Sequence, residues 1–124
     1  HSIGKTVLIA EDDFISFNMI KRTLTKQGYR VLHAENGVEA VKLSKENEIA
    51  VILMDMSMPK LNGLEATRQI KTFNSNIKII AMTGLAMKDD EARIREAGCD
   101  YYLSKPTKPE KILEVLNKFI ISAS

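Results

Sequence analysis

Four places in the 124-residue chain carry residue types that could do chemistry together. They are the acids Glu11-Asp12-Asp13, the single acid Asp55, the hydroxyl of Thr83 and the amine of Lys105. Clustered carboxylates repel one another and desolvate badly unless a cation joins them. A hard divalent ion meets that need, and Mg²⁺ suits two or three carboxylates plus a phosphate. Lys105 offers a compact positive charge for a carboxylate or phosphate. Thr83 offers a hydrogen-bond donor for an oxyanion. Acid, metal, amine and hydroxyl in one place describe phosphoryl transfer onto a carboxylate, with Asp55 as nucleophile. Each residue alone has a plainer use. Asp55 could cap a turn or helix, the three acids could complement a helix N-terminus, and Thr83-Gly84 and Lys105-Pro106 are ordinary turn or loop pairs. The chemistry stands only if the fold brings all four to one edge.

The elements that must do this are legible. Ile49-Ala50-Val51-Ile52-Leu53-Met54 is an unbroken apolar run ending in Asp55. Such a run reads as a strand buried on both faces. Asp55 then emerges at its carboxyl end, where open α/β sheets bind ligands. Pro59 and Asn62-Gly63 close the segment as a loop. Val7-Leu8-Ile9-Ala10 is a second buried strand, ending in the three acids. Arg30 to Ala34 is a more polar strand, expected nearer the edge of the sheet. Ile77 to Met82 is a fourth strand ending at Thr83-Gly84, and Tyr101-Tyr102-Leu103 a fifth ending at Ser104-Lys105-Pro106.

Helical spacing fills the intervals. Phe14 to Gln27 turns Phe17, Ile20 and Leu24 to one side, with Gly28 as its cap. Asn36-Gly37 opens a helix to about Glu46, with Val38 and Val41 inward. Asn62 and Glu65 have capping-box spacing, and their helix runs to about Phe73, burying Ala66, Ile70 and Phe73. Lys88 to Ala97 follows with Ala92 and Ile94, capped by Gly98. Thr107-Lys108-Pro109-Glu110 combines an N-cap, a first-turn Pro and a Glu at capping distance. The last helix buries Ile112, Leu116, Phe119 and Ile120. Strict β-α alternation implies a parallel sheet with helices on both faces and right-handed crossovers. For five strands the expected doubly wound order is 2-1-3-4-5. That order places the loops carrying Glu11-Asp12-Asp13, Asp55, Thr83 and Lys105 side by side.

Composition narrows the alternatives. At 44% hydrophobic and 27% charged residues the chain reads as one ordinary globular domain. Its apolar runs are far shorter than the roughly 20 residues needed to cross a bilayer. No charged-then-apolar leader opens it. A net charge of +2 with scattered Lys and Arg gives no footprint for nucleic acid. The single Cys99 excludes an internal disulfide and a multi-cysteine metal site, and is expected to be a buried structural thiol. Neither histidine has a partner at metal-ligand spacing.

From Lys5 to about Ile120 the sequence resembles the receiver (CheY-like) domain of two-component response regulators. The residues that carry the resemblance are Leu8-Ile9-Ala10-Glu11-Asp12-Asp13, Leu53-Met54-Asp55-Met56-Ser57-Met58-Pro59-Lys60-Leu61-Asn62-Gly63, Ala81-Met82-Thr83-Gly84 and Tyr102-Leu103-Ser104-Lys105-Pro106. The resemblance implies a flavodoxin-like (βα)5 three-layer sandwich. It implies that Asp55 accepts a phosphoryl group from a histidine kinase or histidine phosphotransfer protein, with Mg²⁺ bound and Mn²⁺ as a substitute. It makes Asp12 a direct metal ligand, Glu11 a ligand acting mostly through water, Asp55 the third carboxylate and Ser57 a ligand through its backbone carbonyl. Asp13 is not counted among the ligands. Lys105 contacts the phosphoryl group and Thr83 moves to hydrogen-bond it. Tyr102 rotates into the space Thr83 leaves, which rearranges the face of the fourth helix, fifth strand and fifth helix. The Lys105-Pro106 peptide is expected to be cis, and Gly84 to keep the approach to Asp55 open.

On this reading residues 1–4 are an N-terminal extension or expression remnant, 5–121 the receiver domain and 122–124 a tail. The domain is a switch with weak self-dephosphorylation, rather than a metabolic enzyme. An effector domain or phosphorylation-dependent self-association would complete its output. The location implied is the cytoplasm, or the cytoplasmic portion of a membrane-bound protein. A finer resemblance, carried by Leu85-Ala86-Met87 and by Ala97-Gly98-Cys99-Asp100 among others, is to receivers of hybrid histidine kinases. A stand-alone regulator would look the same. Two other classes compete. A haloacid-dehalogenase-like phosphatase wants a second acid two residues after its nucleophile, where this chain has Ser57. A flavodoxin-like cofactor binder needs a phosphate-cradling loop after the first strand, where this chain has three acids.

Overall fold

The computed structural model describes residues 5–58, 60–84 and 88–123, with side chains of 88–90 and 121–123 left aside. The expected remnant at residues 1–4, Pro59 of the loop and Leu85-Ala86-Met87 lie outside the described residues. The elements follow in strict alternation: β1 Thr6–Ala10, α1 Phe14–Lys26, β2 Arg30–Ala34, α2 Gly37–Glu46, β3 Val51–Asp55, α3 Gly63–Phe73, β4 Lys78–Thr83, α4 Lys88–Ala97, β5 Tyr101–Ser104 and α5 Pro109–Ala123. The five strands form one sheet in the order β2-β1-β3-β4-β5, and every pairing is parallel. α5 continues through Ala123.

Successive residues of a strand face opposite sides, so a sheet covered on both faces needs apolar residues at every position. β1, β3 and β4 meet that demand. Leu8, Ile52, Met54, Ile79 and Ala81 pack on one face with Ala40, Ala66, Ile70 and Ile94. Val7, Ile9, Leu53, Ile80 and Met82 pack on the other with Phe17, Leu24, Ile112 and Leu116. These strands occupy the middle of the sheet, and the more polar β2 is an edge, as expected.

The helix ends explain where the strands can stop. Asp13, Asn36 and Asn62 each accept a hydrogen bond from a backbone N–H three residues on, at the N-termini of α1, α2 and α3. α1 closes through Gly28 at φ 91°, a left-handed backbone that suits glycine.

Five side chains differ from expectation, among them Phe119 of α5, which is only half-buried beside Tyr101. Val38 is 54% exposed, because Gly37, Ala40, Val41 and Ser44 form the inward stripe of α2. Phe73, at the last turn of α3, is 40% exposed, with the Lys45 ammonium 5.4 Å from its ring centre. Ala92 is exposed, and Ile94 and Ala97 carry the buried face of α4. Thr107 does not cap α5: its hydroxyl donates to the Ser104 carbonyl, and the Ile112 N–H takes the Lys108 carbonyl, so the helix starts at Pro109. Cys99 is buried beside Thr67, and burial pushes its thiol up to about 11. Among the described residues no helix is long and apolar enough to cross a membrane.

Candidate functional site

The carboxyl ends of β1, β3, β4 and β5 meet at one edge of the sheet, and the residues just beyond them form the site. Asp55 is the last residue of β3 and only 3% exposed. Its Oδ1 accepts a hydrogen bond from the Ser57 N–H at 3.1 Å, and its Oδ2 lies 3.1 Å from Lys105 Nζ. Glu11, one residue beyond β1, is 1% exposed, and its Oε1 lies 3.0 Å from the same ammonium. Asp12 is exposed. One carboxylate oxygen from each of Glu11, Asp12 and Asp55 lies within 4.8 Å of the others.

The three acids after β1 divide their work. Asp13 accepts from the Ser16 hydroxyl at 2.7 Å and from the Ser16 N–H at 3.3 Å, and these bonds hold its carboxyl below the usual range. It is the N-cap of α1, so its side chain is directed away from the other two acids' task.

Electrostatics show what the cluster lacks. Burial drives the Glu11 carboxyl up to about 7, helped by its hydrogen bond and charge interaction with Asp55 and opposed by Lys105. Burial disfavours the Lys105 charge, but the Glu11 and Asp55 carboxylates beside it outweigh that and raise its pKa. Although Glu11 Oε1 sits against Lys105 Nζ, it accepts no hydrogen bond of acceptable geometry. One ammonium therefore serves two buried carboxylates, and one oxygen of the pair is left without a donor. An all-oxygen cluster with an unsatisfied buried oxygen fits a hard divalent cation, and Mg²⁺ in particular.

Thr83 ends β4 and is buried. Its carbonyl accepts the Lys105 N–H at 2.7 Å, which ties the lysine backbone to β4, and the Lys105–Pro106 peptide is cis. Tyr102, on β5 opposite Ala81, is half-buried. The Glu91 carboxylate of α4 raises the pKa of its hydroxyl, and Glu91 in turn pairs with Arg95 at 3.2 Å. A cavity of about 420 Å³ lined by Met56, Ser57, Thr83, Gly84 and Arg93 opens beside Asp55. A side-chain carbon built on Gly84 would meet nothing within 4 Å. A larger cavity of about 870 Å³ lies at the amino edge of the sheet, among Lys5, Arg30 and Lys78, away from the acids.

Glu11, Asp12, Asp55 and Lys105 thus come together as the strand order requires, with Thr83 beside them. Three contributors carried no sequence signal. His33 touches the Glu11 backbone. Glu91 raises the pKa of the Tyr102 hydroxyl. Gly63 lets α3 start against Asp55: a Cβ there would stand 2.4 Å from the Asp55 carbonyl oxygen. The capping-box spacing of Asn62 and Glu65 marked this helix start, but not what the glycine faces.

Residues 7–117 match the family described as the response regulator receiver domain. Among curated proteins, the polar-differentiation response regulator DivK of Brucella anthropi is 36% identical over 118 residues, 94% of this chain and 96% of that protein. Among solved structures, the receiver domain of the sensor histidine kinase PA1611 of Pseudomonas aeruginosa, with a magnesium ion coordinated in its active-site cleft, has a TM-score of 0.86. It is 33% identical and the match covers 94% of this chain and 98% of that one. The receiver domain of the Saccharomyces cerevisiae regulator Ssk1, crystallised with the histidine phosphotransfer protein Ypd1, has a TM-score of 0.91. It is 28% identical and the match covers 96% of this chain and 90% of that one.

Proposed function

The chain belongs to the response regulator receiver domain family of two-component signalling, and on that premise we propose that Asp55 is its phosphoacceptor. The observation that carries the proposal is the placement of Asp55: buried at the end of a central strand, 3.1 Å from Lys105, and in one carboxylate cluster with Glu11 and Asp12. The donor is a phosphohistidine on a kinase or a phosphotransfer protein. A carboxylate oxygen of Asp55 attacks phosphorus, the P–N bond breaks and the P–O bond forms, and the departing imidazole nitrogen takes a proton.

Glu11, Asp12 and Asp55, with the Ser57 carbonyl, would hold Mg²⁺, and Mn²⁺ would substitute. When bound, the ion neutralises charge on the phosphoryl oxygens. Lys105, already on the Asp55 carboxylate, follows the charge onto the phosphoryl group. The Thr83 hydroxyl then donates to a phosphoryl oxygen. Tyr102 leaves Glu91 for the space beside Thr83, and this exchange alters the face made by α4, β5 and α5. Switching of this kind requires groups that bind the phosphoryl oxygens in one conformation better than in the other. Thr83 and Lys105 are those groups. Water admitted to the same site gives slow self-dephosphorylation. The altered face then meets an effector or a second copy.

Incubation with Mg²⁺ and acetyl phosphate, followed by intact mass measurement, tests the assignment. The expected result is one added phosphate on the wild type and none on Asp55→Asn. An adduct that survives the substitution, or none with any small donor or phosphohistidine protein, would overturn it.

A further inference from the structure

His33 plays no part in the chemistry proposed above, yet its side chain grips the backbone of a proposed metal ligand. His33 Nε2 lies 2.8 Å from the Glu11 carbonyl oxygen. A carbonyl only accepts, so Nε2 carries the hydrogen and donates it. The imidazole stacks on Phe17 of α1, with ring centres 3.6 Å apart and planes 13° apart. Phe14 adds a tilted ring at 6.5 Å. Phe17 is itself part of the core, so the ring is held by a fixed platform.

On the other side of the same residue, the Glu11 N–H donates to the Ala34 carbonyl at 3.0 Å. Neighbouring residues at the end of β2 therefore fix Glu11 through its N–H and through its C=O. The Glu11 carbonyl belongs to the peptide plane that joins Glu11 to Asp12. That plane is rigid, so its orientation sets the directions in which the two carboxylates leave the chain. Without the His33 donor, the plane can rotate about the bonds at either end while the strand stays paired.

We propose that His33 is a positioning residue for the metal site, aiming Glu11 and Asp12 at a common ion by locking the peptide plane between them. The inference rests on the reading of Glu11, Asp12 and Asp55 as the metal ligands. Partners that orient metal ligands, once removed, typically cost about 10–100-fold in affinity. A backbone contact one step from the ligand atoms falls at the lower end, about tenfold.

The test separates the donor from the ring. His33→Phe keeps a ring on Phe17 and removes the N–H, whereas His33→Gln keeps a donor and removes the ring. Mg²⁺ affinity, measured by calorimetry at one alkaline pH, and melting temperature in chelator are read for both, beside wild type and Asp12→Ala. We expect His33→Phe to bind Mg²⁺ about tenfold more weakly while melting near wild type. His33→Gln should bind close to wild type while melting lower. Nitrogen chemical shifts should show the wild-type ring protonated at Nε2. Affinity that follows the ring and the melting temperature, instead of the donor, overturns the proposal. If His33→Phe does not fold, His33→Leu against His33→Gln poses the same question. Should the wild type bind no Mg²⁺, or Asp12→Ala bind it unchanged, the ligand assignment falls and this inference with it. If Asp12→Ala loses the ion and His33→Phe does not, only the inference falls.

Discussion

Asp12 and Asp13 are neighbours of identical chemistry with opposite duties. Asp13 gives its carboxylate to the first turn of α1, so Asp13→Ala should lower stability, as loss of a helix cap does. It should leave Mg²⁺ affinity nearly unchanged, whereas Asp12→Ala should abolish binding. Urea denaturation alongside metal titration reads both effects. Glu11 makes the second prediction. Its carboxyl titrates near 7 in the fold and at the ordinary 4.5 when unfolded. The folded state therefore binds the proton more tightly, and stability falls as pH rises from about 4.5 to about 7. In chelator, the melting temperature of the wild type should drop across that window, and Glu11→Gln should flatten the slope. Mg²⁺ should oppose the drop, because it stabilises the ionised carboxylates. Identical slopes for wild type and Glu11→Gln would refute the assignment.

At the scale of elements, the loop after β3 is wedged between two helix starts. A Cβ on Gly37, at the head of α2, would stand 2.0 Å from the Leu61 carbonyl oxygen. Helix propensity alone predicts that Gly37→Ala gains up to about 1 kcal/mol. The clash is with backbone and cannot be relieved by a rotamer, so a net loss of about 1–3 kcal/mol is expected, measured by denaturant unfolding. Elements were well legible in the sequence because their signals are local. The apolar runs of β1, β3 and β4 demand two covered faces, and Asn36, Asn62 and Gly28 mark ends by capping chemistry. Contacts between elements were not legible. Val38 and Phe73 have the apolar character of inward residues, but the stripe that faces the sheet is set by packing and left them outside. Thr107 lost its capping role to Lys108 because its hydroxyl found Ser104 first. His33, Glu91 and the approach of Gly63 to Asp55 depend on residues from different elements, which no spacing rule records.

For the molecule as a whole, two apolar layers share a single sheet as their common wall. Leu53 belongs to one layer and Cys99 to the other. Leu53→Ala should cost about 3 kcal/mol. If the sheet couples the layers, the Cys99 thiol should become reactive at the same urea concentration at which helical signal is lost. Thiol exposure at a separate midpoint would show the layers yielding independently. The four-place agreement at the carboxyl edge was also a whole-molecule property. It followed from strand order, which grouped Glu11-Asp12-Asp13, Asp55, Thr83 and Lys105 before any contact was known; only the family resemblance set Asp13 aside.

Gly84 shows what such an arrangement leaves open to change. Its backbone is not in the left-handed region that favours glycine, and a side chain grown from it would enter empty space. Among the described residues nothing therefore requires glycine at this position, which lines the cavity shared with Met56, Ser57 and Thr83. On the proposal that Asp55 is the phosphoacceptor, a side chain here would narrow the cavity beside Met56 and Ser57. A descendant of this domain could thus acquire a side chain at this position by a single codon change, with no added strain among the described residues.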